Sequence, residues 1–350
     1  MRTAPSANLD FLRAFAVLLV LCQHLCRRMN LNHIGWVATT SLGLFGVLLF
    51  FVHTSLVLTQ SMERRALSGW PLFRDFYIRR VFRIYPLSVV AVLTALILRL
   101  DSDINGVAGL SRGILPGKLS IVSHFLLVQN LFKVKSMVNV LWSLPYEVQM
   151  YIVLPLLFVS IGIGRRLRLL LVIWFGSLAL ALIQPQIALL SRLSILIFVP
   201  NFLAGVVAFV TPRTQRISAQ LWPTLITGLA VVFTLRPARM TGWLLCLSLG
   251  FLIPQFKDLS SPWLRMLTHR IATYSYGIYL SHQFSIWIAL GALQTHALWL
   301  KLLILFVLLV SLPVILYHCI EEPLIKLGAN LASRASREPK VEVRAAAFAA

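Results

Sequence analysis

Apolar residues run through this chain in long blocks, separated by short polar and basic stretches. The blocks fall at residues 10–28, 36–59, 84–100, 139–161, 167–183, 194–210, 221–235, 240–255, 272–292 and 298–320. Most approach the roughly 20 residues that a helix needs to cross a bilayer. The shorter ones fit a thin or tilted bundle. The pattern predicts an all-α fold, a polytopic membrane bundle of about ten transmembrane helices. The stretch 119–132 is apolar but too short for a span, and reads as an interfacial or re-entrant helix.

Loop charge orients the bundle. With ten spans and an inside N-terminus, 21 of the 32 Lys and Arg fall on the inner side, from Arg2 and Arg64 to Arg337, Lys340 and Arg344. Such a bias is what the positive-inside rule requires, and it places both termini in the cytoplasm. An eleventh span at 119–132 would carry Arg165, Arg166 and Arg168 outside and weaken it. The spans form one domain over 1–327. The polar, Ala-rich tail 328–350 is expected to be disordered.

Composition narrows the class further. Apolar residues make up 59% of the chain and mean hydropathy is +0.84. Charged residues are 12%, about half the usual share. These values exclude a soluble enzyme, a disordered chain and a nucleic-acid-binding module. The net charge of +21 then reads as inner-face anchoring to anionic lipid. Cys22, Cys26, Cys246 and Cys319 sit in or beside apolar blocks without metal-ligand spacing, so no metal is expected. The first block holds His24, ends in Arg27-Arg28 and lacks a small-residue cleavage site, unlike a signal peptide.

Ionisable groups inside spans are costly and therefore mark function. The first span carries Asp10, Arg13 and His24. Eleven residues are close to three turns, so Arg13 and His24 share a face, roughly 16 Å apart along the axis. A snorkelling arginine and a carbonyl-bonded histidine are the plainer alternatives. A neutral imidazole is nevertheless the natural proton acceptor near pH 7. Ahead of the third span, Arg80 and Arg83 are three apart and share a face at the inner surface, where guanidinium forks suit the phosphates of a soluble donor. Glu147 opens the fourth span with no other carboxylate within ten residues. It needs a cationic partner, as an ion-pair member or an orienter of catalysis. Tyr276, Tyr279 and His282 recur at three-residue steps. Glu321-Glu-Pro323 closes the last span, where Pro323 reads as a stop.

Six segments, in order, resemble acyltransferase family 3 integral membrane proteins across about 8–325. Leu9-Asp-Phe-Leu-Arg-Ala-Phe-Ala…His24 resembles the opening L-D-G-L-R-A-x-A…H, with ten residues between Arg and His. Gly46-Val-Leu-Leu-Phe-Phe-Val resembles G-V-D-L-F-F-V. Arg80-Val-Phe-Arg83-Ile-Tyr-Pro resembles R-x-x-R-I-Y-P. Trp142-Ser-Leu-Pro-Tyr-Glu147 resembles W-S-L-x-x-E. Tyr274 to His282 resembles S-Y-x-x-Y-L-x-H, and Glu321-Glu-Pro the terminal E-x-P. The resemblance implies a ten-span acyltransferase that moves an acetyl or short acyl group from acyl-CoA, acetyl-CoA above all, to a sugar hydroxyl of a surface glycan or glycosylated metabolite. It implies a multi-pass place in a bacterial inner membrane. His24 would be the catalytic histidine, and Arg13, Arg80 and Arg83 would serve donor binding or the catalytic architecture. Two positions depart: Leu48 stands at the family's Asp and Phe11 at its Gly, so that either Glu147 or Asp10 supplies a carboxylate or the acceptor geometry differs in this branch. Tyr279 is a candidate oxyanion stabiliser. The rival from another class is a transporter or flippase of a lipid-linked sugar or anionic solute. It too would carry buried ionisable groups, although transporters often show internal repeats and none is visible here. A scaffold without chemistry is the third reading, and predicts no polar groups facing one another.

Overall fold

The computed structural model of the protein describes residues 6–35, 37–100, 116–161 and 166–336. The residues Arg2, Arg165, Arg337, Lys340 and Arg344, and the tail beyond 336, lie outside them. The fold is an all-α membrane helix bundle. In chain order it comprises α1 (Ala7–Arg28), α2 (Thr39–Arg65), α3 (Gly69–Ile97), α4 (Lys118–Phe125), α5 (Leu144–Ile161) and α6 (Leu167–Ile183). There follow α7 (Val199–Val210), α8 (Leu221–Leu235), α9 (Arg239–Leu252), α10 (Pro262–Trp287), α11 (Leu298–Leu316) and α12 (Glu322–Ala335). A two-residue hairpin, β1 (His33–Ile34) and β2 (Val37–Ala38), joins α1 to α2.

Ten of these helices fall on the ten apolar blocks. Among the described residues six are long and apolar enough to cross a membrane. Of the others, α7, α8 and α9 are 12, 15 and 14 residues long, about 18–22 Å at 1.5 Å per residue. The eight residues of α4 are too few for a span.

Helix packing follows from where small residues permit contact. The all-round apolar α7 is buried from Pro200 to Val210, as a helix without a polar face must be. It lies between α2, α6 and α9. Gly205 of α7 abuts the Val52 carbonyl and Ser55 of α2, and a Cβ at Gly46 would lie 2.6 Å from the Ala16 carbonyl of α1. Close backbone approach through small residues is the usual means of membrane helix association. At the periphery, α11 exposes Trp299, Leu302, Phe306 and Val310, a surface suited to lipid tails.

Two boundaries differ from the sequence reading. The segment holding Arg80 and Arg83 is not a loop at the edge of the third span. It is the first half of α3, which starts at Gly69. The helix continues inward because its charges find partners: Asp75 takes Arg79 at 2.9 Å and Arg65 at 3.0 Å. Arg80 thus lies eleven residues, about 16 Å, from the helix start. The tail is the second difference. Residues 328–335 belong to α12, whose packing along α3 supplies the order that composition did not suggest. Arg79 donates to the Ala329 carbonyl at 3.2 Å. Nor does Pro323 stop the chain's helicity. A π-turn over Tyr317–Glu321 ends α11, and Pro323 sits in the first turn of α12, where its missing N–H costs nothing.

Candidate active site

The first helix meets α10 along a seam of polar pairs. Asp10 lies 2.8 Å from His269 Nδ1 at the bundle's edge. Arg13 Nε donates to Ser275 Oγ at 2.5 Å. His24 is buried beside Gln283, whose Nε2 is 3.3 Å from its Nδ1, and against the ring of His282 at 5.1 Å between centroids. Arg13 and His24 therefore do face one neighbouring helix, in keeping with their three-turn spacing.

Arg13 opens into a cleft walled by α1, α2, α3, α5 and α10, with an empty volume of about 760 Å3, open solvent included. Arg80, Arg83, Glu147 and Tyr279 line the same cleft. Arg83 Nη1 pairs with Glu321 Oε2 at 2.6 Å, and its guanidinium lies 5.4 Å from the centre of the Tyr276 ring. Glu147 accepts a hydrogen bond from Thr54 Oγ1 at 3.1 Å. Arg80 has no hydrogen-bond or ion-pair partner among the described residues. Three arginines thus face two carboxylates; only Arg83 has an ion pair among the described residues, and Arg80 alone of the three also has no hydrogen bond. A guanidinium enclosed in a bundle without an ion pair is costly, and Glu147, in the same cleft, is the carboxylate that offsets part of that cost for Arg80.

Not every sequence candidate enters it. His24 does not line the cleft. It sits behind His282, whose ring is 6.3 Å from that of Tyr279. Tyr279 links the two groups, but its hydroxyl donates to the Val140 carbonyl at 2.9 Å and meets Ser143 Oγ at 2.7 Å. With that proton engaged, Tyr279 is a structural pin rather than a ready oxyanion donor. Asp10 stays at the α1 terminus with His269. Leu48 is aimed at Gly242 of α9, away from the cleft, so the leucine there removes no cleft carboxylate. Glu147 and Glu321 supply the carboxylates.

The sequence reading overlooked His53, Thr54, Ser143 and Ser275, all of which line the cleft. His53 was findable, being an ionisable group inside an apolar block. The small hydroxyl residues gave no signal, because Ser and Thr are ordinary in membrane helices.

The comparison with protein families bears on this arrangement. The acyltransferase domain model of family 3 matches residues 6–318. The chain belongs to acyltransferase family 3. The match spans every helix of the cleft, from Arg13 on α1 to residue 318, inside the π-turn that ends at Glu321. No curated protein and no solved structure matches the chain. As a member of acyltransferase family 3 it is a membrane acyltransferase.

Proposed function

We propose that the protein moves an acetyl or other short acyl group from acyl-CoA to a hydroxyl of a surface glycan or glycosylated metabolite, in a bacterial inner membrane with both termini in the cytoplasm. The observation that carries the donor half is Arg80, a guanidinium with no hydrogen bond or ion pair among the described residues, in the cleft of an acyltransferase. The pyrophosphate of coenzyme A is an anion that fits it, and a guanidinium fork binds phosphate oxygens bidentately.

The chemistry asked of the chain is modest, because a thioester is already activated. The acceptor oxygen attacks the thioester carbonyl, the new C–O bond forms and the C–S bond breaks. His24 takes the hydroxyl proton and returns it to sulfur, which leaves as the free thiol. His282 and Gln283 hold the His24 ring. The donor's reactive end would extend from Arg80 past Tyr279 toward His24.

Sealed vesicles of known orientation test the proposal, with acyl-CoA supplied only on the cytoplasmic face and a sugar acceptor only on the other. Acylation of the acceptor is expected, with a loss of at least about 100-fold in His24→Ala and unchanged folded protein. Uptake of the sugar without acylation would favour the transporter reading instead. Full activity in His24→Ala would remove this histidine from the mechanism.

A further inference from the structure

A second cavity adjoins the α5 N-terminus on a different face from the cleft. Its empty volume is about 630 Å3, open solvent included. Trp142 and Tyr146 line it together with Gln129, Asn130 and Asn139, and with Lys135 and Ser136 of the same loop. Their neighbours Ser143 and Glu147 line the cleft. The segment 139–147 is thus a single wall, showing one row of side chains to each cavity.

The lining is chemically specific. Trp142 and Tyr146 both pack against Phe198, at 5.9 and 4.7 Å between centroids, so their rings are held from behind. Neither the Trp142 indole N–H nor the Asn139 amide has a hydrogen-bond partner among the described residues. Gln129 is 1% exposed and donates to the Leu141 carbonyl at 2.9 Å, yet its Oε1 is buried without a partner among the described residues. A buried acceptor left unmade costs about 1–3 kcal/mol unless a ligand or water meets it. The loop is braced as well: the Met137 N–H donates to His124 Nε2 at 2.9 Å, and the Val134 N–H to the Gln129 carbonyl at 3.0 Å.

Held aromatic faces beside three amides, a hydroxyl and a lysine fit a polyhydroxylated ring. A pyranose presents C–H bonds on its ring faces, which suit the negative face of an aromatic ring. Its rim of hydroxyls both donates and accepts, which suits amides and an indole N–H. We infer that this cavity binds a sugar ring of the acceptor, stacked on Trp142, and delivers it to the wall shared with the cleft. The inference rests on the acyl-to-sugar reading given above.

Saturation-transfer NMR on the full chain in nanodiscs tests it, with coenzyme A present and methyl glycosides of glucose, galactose, rhamnose and N-acetylglucosamine as probes. Transfer to at least one glycoside is expected. It should fall at least fivefold in Asn139→Ala and Trp142→Ala, persist in Trp142→Phe, which keeps the packing on Phe198, and persist in His24→Ala. In turnover assays the first two variants should raise the acceptor KM at least tenfold and leave the acyl-CoA KM unchanged. No transfer to any glycoside, or transfer that survives both Asn139→Ala and Trp142→Ala, overturns the site. Glycoside binding without acylation by the parent protein would instead sink the acyl-to-sugar reading and leave the site standing.

Discussion

Arg80 and Arg83 stand one turn apart in the same cleft, yet the structure gives them different tasks. Arg83 is neutralised by Glu321 at 2.6 Å, whereas Arg80 is unpaired. Arg80→Ala should therefore raise the acyl-CoA KM about 10- to 100-fold, the equivalent of one charged hydrogen-bonded contact, with kcat little changed. Arg80→Lys should recover only part of the loss, since an ammonium lacks the fork. Arg83→Ala should act on folding, because it strands a buried carboxylate at a cost of about 3–5 kcal/mol. A lowered thermal midpoint that Arg83→Ala/Glu321→Gln restores would confirm the division. An unchanged donor KM in Arg80→Ala would remove that residue from the donor site. The pairing of Arg13 and His24 toward one helix was legible in the sequence, because a single helical period governs both positions. The partners across the seam were not. Ser275 and Gln283 lie about 260 residues further along the chain, and no local pattern connects them.

At the scale of elements, apolar blocks located helices wherever lipid or core was the neighbour. They failed where polar residues are satisfied by another element. The first half of α3 looks like a basic loop until Asp75 and α12 are present to take its charges, and α12 looks like a tail until α3 is there to pack against. Close packing also sorts the glycines. A side chain at Gly205 would run into the Val52 carbonyl and Ser55, while nothing lies within 4 Å of a Cβ at Gly176 or Gly228. Gly205→Val is therefore expected to abolish the monodisperse folded species in size-exclusion chromatography. Gly176→Ala and Gly228→Ala should leave it intact or stabilise it by about 0.5–1 kcal/mol, the helix-interior cost of glycine.

For the whole molecule, the decisive feature is the three-to-two balance of arginines and carboxylates deep in the bundle. An anion that enters this cleft from the cytoplasmic side travels part of the way along the electric field of an energised membrane. Each elementary charge moved across the full 100 mV exchanges about 2.3 kcal/mol, so one carried a quarter of the way exchanges about 0.6 kcal/mol. In a cell whose interior is negative, the field drives a phosphate outward, toward Arg80. Donor capture should thus be electrogenic. In vesicles clamped by potassium and valinomycin, an inside-negative potential of 100 mV should lower the acyl-CoA KM about threefold per charge so moved, and an inverted potential should raise it by as much. A KM indifferent to voltage would mean that the donor's charge stays outside the field, at the mouth of the bundle. On the first outcome, respiration and acylation are coupled through the field, and a depolarised cell would acylate more slowly at low acyl-CoA although its donor supply is unchanged.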